Sequence, residues 1–258
     1  MNISKPFLIA EIGINHNGDE EYLLDYIDQL NKTEINGITI QYRDKQFYDK
    51  YTKFVLSDHI YELISSKIKS KHKLFGVAIK DPNMISFFEK IKTDFYKIIE
   101  NDLQNEELME KVLKSDVKKI YLSTGMSDSD EIKNVLNKYK NFEKRKIVLI
   151  HTTLSNKIDK VNLESIRYMK EKFFMQVAYG NHCEDYKSML LSIPYLPESI
   201  FFYVKGNKFK KHPDDKHAIN LDFVNNLIKE INKLKLSMGD YNKEKIFDLI
   251  PEKSVETL

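Results

Sequence analysis

Short apolar runs alternate with amphipathic stretches along the chain, eight of each. The apolar runs, rich in β-branched and aromatic residues, predict strands at 7–12, 37–42, 74–79, 95–99, 118–122, 147–151, 175–179 and 199–204. The amphipathic stretches predict helices near 20–31, 57–70, 84–91, 105–114, 128–139, 161–172, 184–191 and 219–235. In the first of these, Leu23, Leu24, Tyr26, Ile27 and Leu30 recur at helical spacing. Strands alternating with helices imply a parallel sheet with helical crossovers. Eight such units in about 250 residues is the size of a closed (β/α)8, or TIM, barrel. A doubly wound open sheet is the alternative, but no Gly-x-Gly-x-x-Gly motif follows the first strand. One barrel domain is expected over 1–237. The polar stretch 238–258, with Pro251, is expected to be a tail that packs loosely on the barrel exterior or a truncated linker.

In such a barrel, chemistry belongs at the C-terminal ends of the strands and in the loops that follow. The positions so marked are Glu11 to Asn17, Gln41 to Arg43, Lys80 and Asp81, Lys97 to Asp102, Ser123 to Met126, His151 to Thr153, Asn181 to Cys183, and Tyr203 onward. The first is the most informative: a carboxylate, Glu11, ends an apolar strand, and an Asn15-His16-Asn17-Gly18 turn leads into a helix. Lys97 lies inside the apolar run Tyr96-Lys97-Ile98-Ile99, where an ammonium group is costly unless it meets an anion. It is expected to bind a phosphate or carboxylate.

Ser123-Thr124-Gly125-Met126 offers hydroxyls and backbone N–H groups at a strand-to-helix turn, either as an oxyanion cradle or as an ordinary Ser/Thr turn and helix cap. His151 and His182 sit at strand ends, where imidazoles serve as general acid and base, as metal ligands, or as hydrogen-bonded structural groups. Cys183, adjacent to His182, is read as a bystander. The loop 205–216 carries His212, Asp214 and Asp215, with His217 just beyond; it could hold a hard cation or be a solvated surface loop.

Composition narrows the field. The 41% hydrophobic content is ample for a core, and 15 Tyr and 15 Phe supply large packing groups where Trp is absent. Lys and Arg number 41 against 39 Asp and Glu, so a formal charge of +2 gives no argument for nucleic acid or membrane binding. The Lys excess is read as solvated helix faces, for example over 67–73 and 137–146. A single cysteine excludes an intrachain disulfide and fits a reducing cytoplasm. The N-terminal Met1–Pro6 stretch has no signal-peptide apolar region, and no apolar run approaches the ~20 residues that span a bilayer.

These motifs resemble, in order, the barrel of the sialic acid (N-acetylneuraminate, or nonulosonate) synthase family. The family pattern runs Ala-Glu-Ile-Gly-x-Asn-His-x-Gly, Val-Lys-Phe-Gln, Ser-Thr-Pro, Tyr-Lys-Ile, Ser-Thr-Gly-Met, His-Cys-Thr, Ser-Asp-His, Glu-Lys-His and Pro-Asp-His. Retained here are Glu11, Asn15, His16, Gly18, Gln41, Lys97, the run Ser123–Met126, His151, Thr153, His182, Pro213 and Asp214. The resemblance implies that Lys97 and the Ser123–Thr124 turn hold phosphoenolpyruvate, that His182 ligates a divalent metal (Mn or Mg), and that Glu11 and Asp214 line the reaction centre. It implies a condensation of phosphoenolpyruvate with a sugar aldehyde polarised by the metal.

The chain also departs from that pattern. The Lys of Val-Lys-Phe-Gln aligns with Thr39, Ser-Thr-Pro becomes Val77-Ala78-Ile79, and the Gly-Ser after Tyr-Lys-Ile becomes Ile99-Glu100. Glu-Lys-His falls on Phe201-Phe202-Tyr203, so the second metal histidine is missing. The Tyr-Pro segment after His-Cys-Thr is gone, and no antifreeze-like C-terminal domain is expected after residue 258.

The expectation is therefore a diverged cytoplasmic enzyme, a transferase or lyase, doing aldol-type carbon–carbon chemistry on a sugar or sugar acid in surface-glycan biosynthesis. Glu11, Lys97, His151 and His182 are the catalytic candidates. Asn15, His16, Gln41, Ser123, Thr124 and Asp214 are the substrate-binding candidates. The alternative is a non-catalytic barrel that binds a sugar or regulates a catalytic paralogue. The partner is a small-molecule sugar or sugar acid, not nucleic acid or membrane, and a homo-oligomer is left open.

Overall fold

The computed structural model describes residues 6–99, 102–142, 146–206 and 210–239. The order is β1 (Phe7–Gly13), α1 (Glu20–Asn31), β2 (Gly37–Tyr42), α2 (Lys45–Lys50), α3 (Asp58–Lys69), β3 (Leu74–Ile79), α4 (Ile85–Lys90), β4 (Phe95–Ile98), α5 (Glu106–Lys114), β5 (Lys119–Ser123), α6 (Ser129–Lys138), β6 (Ile147–His151), α7 (Glu164–Phe173), β7 (Gln176–Asn181), α8 (Lys187–Ser192), β8 (Ser199–Lys205), β9 (Ile219–Asn220) and α9 (Val224–Ser237). Strands β1 to β8 pair in sequence order, all parallel, and β8 pairs back onto β1, which closes a (β/α)8 barrel. The two-residue β9 adds to the end of β8, bringing the loop after β8 back beside that strand.

Alternation along each strand separates two apolar layers. Ile9, Phe95, Tyr121, Val148, Ile150, Ala178 and Phe201 form one cluster inside the barrel. The intervening residues, such as Leu8, Ala10, Ile38, Val77, Tyr96, Leu122, Leu149, Tyr179 and Phe202, pack with the helices in a second, larger cluster. Inside, the rings of Phe95, Tyr121 and Phe201 meet edge to face, with centroids 4.8–6.2 Å apart. Gly76 is required beside them: a Cβ there would lie 2.0 Å from the Phe95 ring. These rings fill the lower lumen, so the polar side chains of the barrel interior lie above them at the C-terminal strand ends.

Helix starts follow capping chemistry. Asp19 accepts from the Tyr22 N–H at the start of α1, Asn105 accepts from Leu108 N–H before α5, and Asp128 with Glu131 forms a capping box on α6.

The structure corrects several sequence readings of the helices. α2 was not predicted, because it buries no residue and so has no apolar stripe; Asp44 starts it by accepting from the Phe47 N–H. α7 begins at Glu164 instead of 161, because Asn162 adopts φ 49° and interrupts the helix. Residues 219–220 are strand, and α9 starts at Val224. The lysine-rich runs extend past their helices: α3 ends at Lys69 and α6 at Lys138. The expected tail lies outside the described residues from 240 onward. No helix among the described residues is long and apolar enough to cross a membrane.

Candidate active site

Strand alternation decides which strand-end side chains reach the lumen. On β1 the inward positions are Ile9 and Glu11; on β4 they are Phe95 and Lys97. Glu11 and Lys97 are only 3% and 4% exposed, and the Lys97 ammonium donates to Glu11 Oε1 in a buried ion pair. Lys97 Nζ also stands 5.2 Å from the Phe201 ring centroid and 5.8 Å from that of Tyr203. The apolar run around Lys97 thus marked a paired cation, and its anion comes from the first strand. In register, Glu11 lies between Thr39 of β2 and Tyr203 of β8.

The loop after β8 completes the mouth. Asn15 donates through Nδ2 to Val204 O at 2.9 Å and accepts at Oδ1 from the Asp214 N–H at 3.1 Å. Asn17 donates to Lys211 O at 3.2 Å, and Tyr22 O–H meets His212 Nε2 at 2.8 Å. The β1 turn and this loop are therefore stitched together, which carries Asp214 over Gly13. Gly13 has φ 57°, and a Cβ there would lie 2.9 Å from the Tyr203 ring and 3.3 Å from Asp214 Oδ2. His217 Nε2 is 3.7 Å from Asp214 Oδ1. Its ring stacks on His182 with centroids 4.7 Å apart at 29°, and Tyr203 meets both rings edge on.

Burial sets the protonation of these groups. Desolvation, then the charge of Glu11, pushes Asp214 up to about 7, while Lys97 opposes the rise. Desolvation lowers His182 to about 3, helped by His217 and Lys97, and lowers His217 to about 4, helped by Lys97 and Lys205. At neutral pH the mouth therefore holds two neutral imidazoles and a carboxyl group near its own titration point, beside an ion pair.

The remaining candidates are placed as follows. His151 lies on the outer face of β6, in line with Ile147 and Leu149; its Nε2 meets Val161 O at 2.9 Å and its ring stacks on Tyr179. It is not brought to the lumen, and the expectation that it acts there is corrected: both faces of β6 are apolar, so the sequence alone gave no parity. Thr124 is likewise outward, its Oγ1 donating to Ile150 O at 2.9 Å. His16 is buried inside its own turn, its Nδ1 accepting from the Gly18 N–H at 2.9 Å, with burial lowering it to about 4. Ser123 and Gln41 have inward parity on β5 and β2. Asn181 faces outward, accepting from Tyr179 O–H and Ser188 O–H, and Cys183 is buried against Asn156 O. Glu100 lies outside the described residues.

Sequence reasoning marked Tyr203 and Thr152 only as members of strand-end stretches, and it missed the pairing of His217 with His182. The inward parity of Phe201 on β8 places Tyr203 in the lumen. Thr152 lies inward above Ile150, and its buried hydroxyl, like that of Thr39, has no partner among the described residues. A further polar group lies on the rim, where Lys80 sits 3.5 Å from Asp102 and 3.7 Å from Asp44.

The divalent metal implied by the motifs does not fit this donor set. Tyr203 stands where the second histidine was expected, and His217 meets His182 as a stacked ring, with centroids 4.7 Å apart. Among the described residues no group of three or more His, Cys, Asp or Glu side chains could hold an ion.

A barrel with an acid–ammonium pair, a second carboxyl and two imidazoles at its C-terminal mouth is built as barrel enzymes are. The chain belongs to the NeuB family, whose sequence model matches residues 26–243. It is 25% identical over 264 residues to the N,N'-diacetyllegionaminic acid synthase of Campylobacter jejuni, covering 92% of this chain and 79% of that one. It is 27% identical over 226 residues to the protein MJ1065 of Methanocaldococcus jannaschii, covering 84% of this chain but 66% of that one, just under two thirds of its length. The crystal structure of N-acetylneuraminic acid (sialic acid) synthetase from Leptospira borgpetersenii superposes with a TM-score of 0.86 at 22% identity, over 95% of this chain and 88% of that one. The last comparison bears on the fold alone.

Proposed function

We propose that this chain is a diverged nonulosonate synthase-type enzyme that makes or breaks a carbon–carbon bond in a sugar acid by aldol-type chemistry, in surface-glycan biosynthesis in the cytoplasm. The observation that carries this reading is the buried Glu11–Lys97 pair at the mouth, with Asp214 and the His182–His217 stack above it. A structural barrel has no use for an ammonium group in its lumen, since burying an ion pair rarely gains stability over apolar packing. Aldol chemistry needs a cation or amine to hold the donor carbonyl, a base to take the proton beside it, and an acid to protonate the acceptor aldehyde oxygen. Lys97, Glu11 and Asp214 supply these roles, and the neutral imidazoles and Tyr203 supply hydrogen bonds to sugar hydroxyls.

The names of the Campylobacter relatives, N,N'-diacetyllegionaminic acid synthase and pseudaminic acid synthase, support a nine-carbon sugar acid as the product class. Thr39 and Ala78 count against phosphoenolpyruvate as the donor, because together they remove a cation and a hydroxyl from the phosphate's surroundings. A charge-assisted hydrogen bond is worth ~1.5–3 kcal/mol, so these losses lower affinity by orders of magnitude. The same losses favour a second reading, a sugar-binding barrel without turnover.

Incubation of the purified chain with N-acetylhexosamines and either phosphoenolpyruvate or pyruvate, followed by mass spectrometry, separates the two. A new 2-oxo sugar acid, absent with Lys97→Met, is the expected result. Sugar binding without product from any donor would leave the non-catalytic reading standing.

A further inference from the structure

The rim of the mouth carries an arginine that is held in place but not paired. On β2 the inward positions are Thr39 and Gln41, and the next of the same parity is Arg43; on β3 they run Gly76, Ala78 and Lys80. The register continues just past the strand ends, where the Lys80 N–H donates to Tyr42 O at 2.9 Å. Gln41, Ala78 and Lys97 are level across the β2–β3–β4 ladder. Arg43 and Lys80 each come two residues later, a rise of ~7 Å above the Lys97 layer.

These two cations are not equivalent. Lys80 is already held by Asp102 at 3.5 Å and by Asp44 at 3.7 Å. The Arg43 guanidinium lies over the Phe47 ring, 4.5 Å from its centroid, and its buried Nε has no hydrogen-bond partner among the described residues. Asp44 and Asp102 feel its charge, yet among the described residues neither is ion-paired to it. Asp44 instead accepts from the Phe47 N–H at 3.0 Å. Burial raises Asp102 above the ordinary carboxylate range against the pull of Lys80, which lessens the negative charge that faces an incoming anion. A buried guanidinium N–H without an acceptor is costly, and a planar fork held on a ring suits the paired oxygens of a carboxylate or phosphate.

The height of Arg43 decides which end of a ligand it meets. In a 2-oxo acid donor the carboxylate is bonded to the carbonyl carbon, so it stays at the depth of the reacting atoms. The far end of an extended sugar chain rises to the rim. We infer that Arg43, with Lys80 beside it, is an anion subsite for the distal end of the acceptor, which makes the acceptor an acidic sugar with a phosphate or carboxylate group remote from its aldehyde; the role as acceptor rests on the aldol-type reading above. Arg43 donates to two oxygens of that group, Phe47 fixes the guanidinium plane, and Lys80 adds charge.

The test is ligand-observed NMR on the whole chain with two probes at constant ionic strength. Inorganic phosphate is read by its phosphorus linewidth, and acetate by saturation transfer to its methyl group. At least one probe is expected to bind the parent, about tenfold or more weakly to Arg43→Gln, and with part of the affinity kept in Arg43→Lys. Lys114→Gln, on the exposed face of α5, is expected to change nothing. Thermal unfolding checks that each variant is folded. A larger effect with phosphate assigns a sugar phosphate, and a larger one with acetate a sugar acid. No binding of either probe, or equal binding to parent and Arg43→Gln, would overturn the subsite. Turnover of neutral N-acetylhexosamines that Arg43→Gln leaves unchanged would reject the acceptor role and leave the aldol reading standing. Anion binding lost in Arg43→Gln, with no turnover of any sugar, would support the subsite and count against the aldol reading alone.

Discussion

Lys97 is tolerable in the lumen because Glu11 meets it, and the energetics of that pair are lopsided. Removing one member leaves a bare buried charge, which typically costs ~3–5 kcal/mol, whereas replacing both by apolar groups is often neutral. Lys97→Met and Glu11→Leu are each expected to destabilise the fold, and the double variant is expected to recover most of the loss in chemical denaturation. If the double variant is as unstable as the worse single one, the two side chains are not a coupled pair.

Protonation at the mouth adds a second residue-scale prediction. Asp214 is raised from 3.8 to about 7, so the folded chain holds this proton more tightly than the unfolded chain. Its contribution to stability is present below about pH 4 and is lost as pH rises to about 7. Asp214→Asn should therefore raise the melting temperature relative to the parent at pH 8 and not at pH 4. His182 and His217 carry the opposite sign: both are lowered from 6.5, so their contribution is present above 6.5 and lost as pH falls through about 4 and about 3. Melting temperature against pH for His182→Gln and His217→Gln should be flatter than for the parent between pH 6.5 and 4. An unchanged slope would place these rings in water.

Among the elements, those with an apolar stripe or an apolar run were legible in the sequence, and those without one were not. The eight barrel strands and α1 show their periods openly, whereas α2 buries nothing and could be inferred only from Asp44 as its cap. The same physics explains the uneven reading of the site. Glu11, Lys97 and His182 stood out because charged or imidazole groups interrupt or end apolar strands. His151 did too, but β6 is apolar on both faces, so its direction was fixed only when Val148 and Ile150 were seen inside the barrel. His217 could not be ranked above its neighbours in a polar loop until the Asn15 contacts drew that loop over the mouth.

The loop after β8 is therefore the element that completes the site, and its attachment to α1 is testable. Tyr22→Phe removes the hydrogen bond to His212 Nε2 at the cost of one buried interaction, ~1 kcal/mol. Hydrogen exchange at residues 212–218 should rise in that variant while exchange in β4 and β5 stays slow. Uniform exchange across the barrel would mean that the loop does not open separately.

At the scale of the whole molecule, the barrel divides into a lower lumen of packed rings and an upper lumen that carries the polar strand-end groups. Phe95, Tyr121 and Phe201 plug the first, so Phe201→Ala should cost ~3–5 kcal/mol as a core truncation. It should also disturb the floor beneath Lys97. The upper lumen holds Glu11, Lys97 and His182, the acid, amine and imidazole positions of the resemblance. The phosphate and metal groups that the resemblance implies fall there on Thr39, Ala78 and Tyr203. The proposed aldol-type function requires this mouth to enolise an acid without a phosphate leaving group.

That claim is tested most directly by proton exchange at C3 of pyruvate in deuterium oxide, followed by proton NMR with heat-denatured protein as the control. It needs no knowledge of the acceptor sugar. The folded chain is expected to wash deuterium into the methyl group, and Lys97→Arg is expected to abolish the exchange. A methyl signal that decays no faster with folded protein than with the denatured control would contradict enolisation at this mouth.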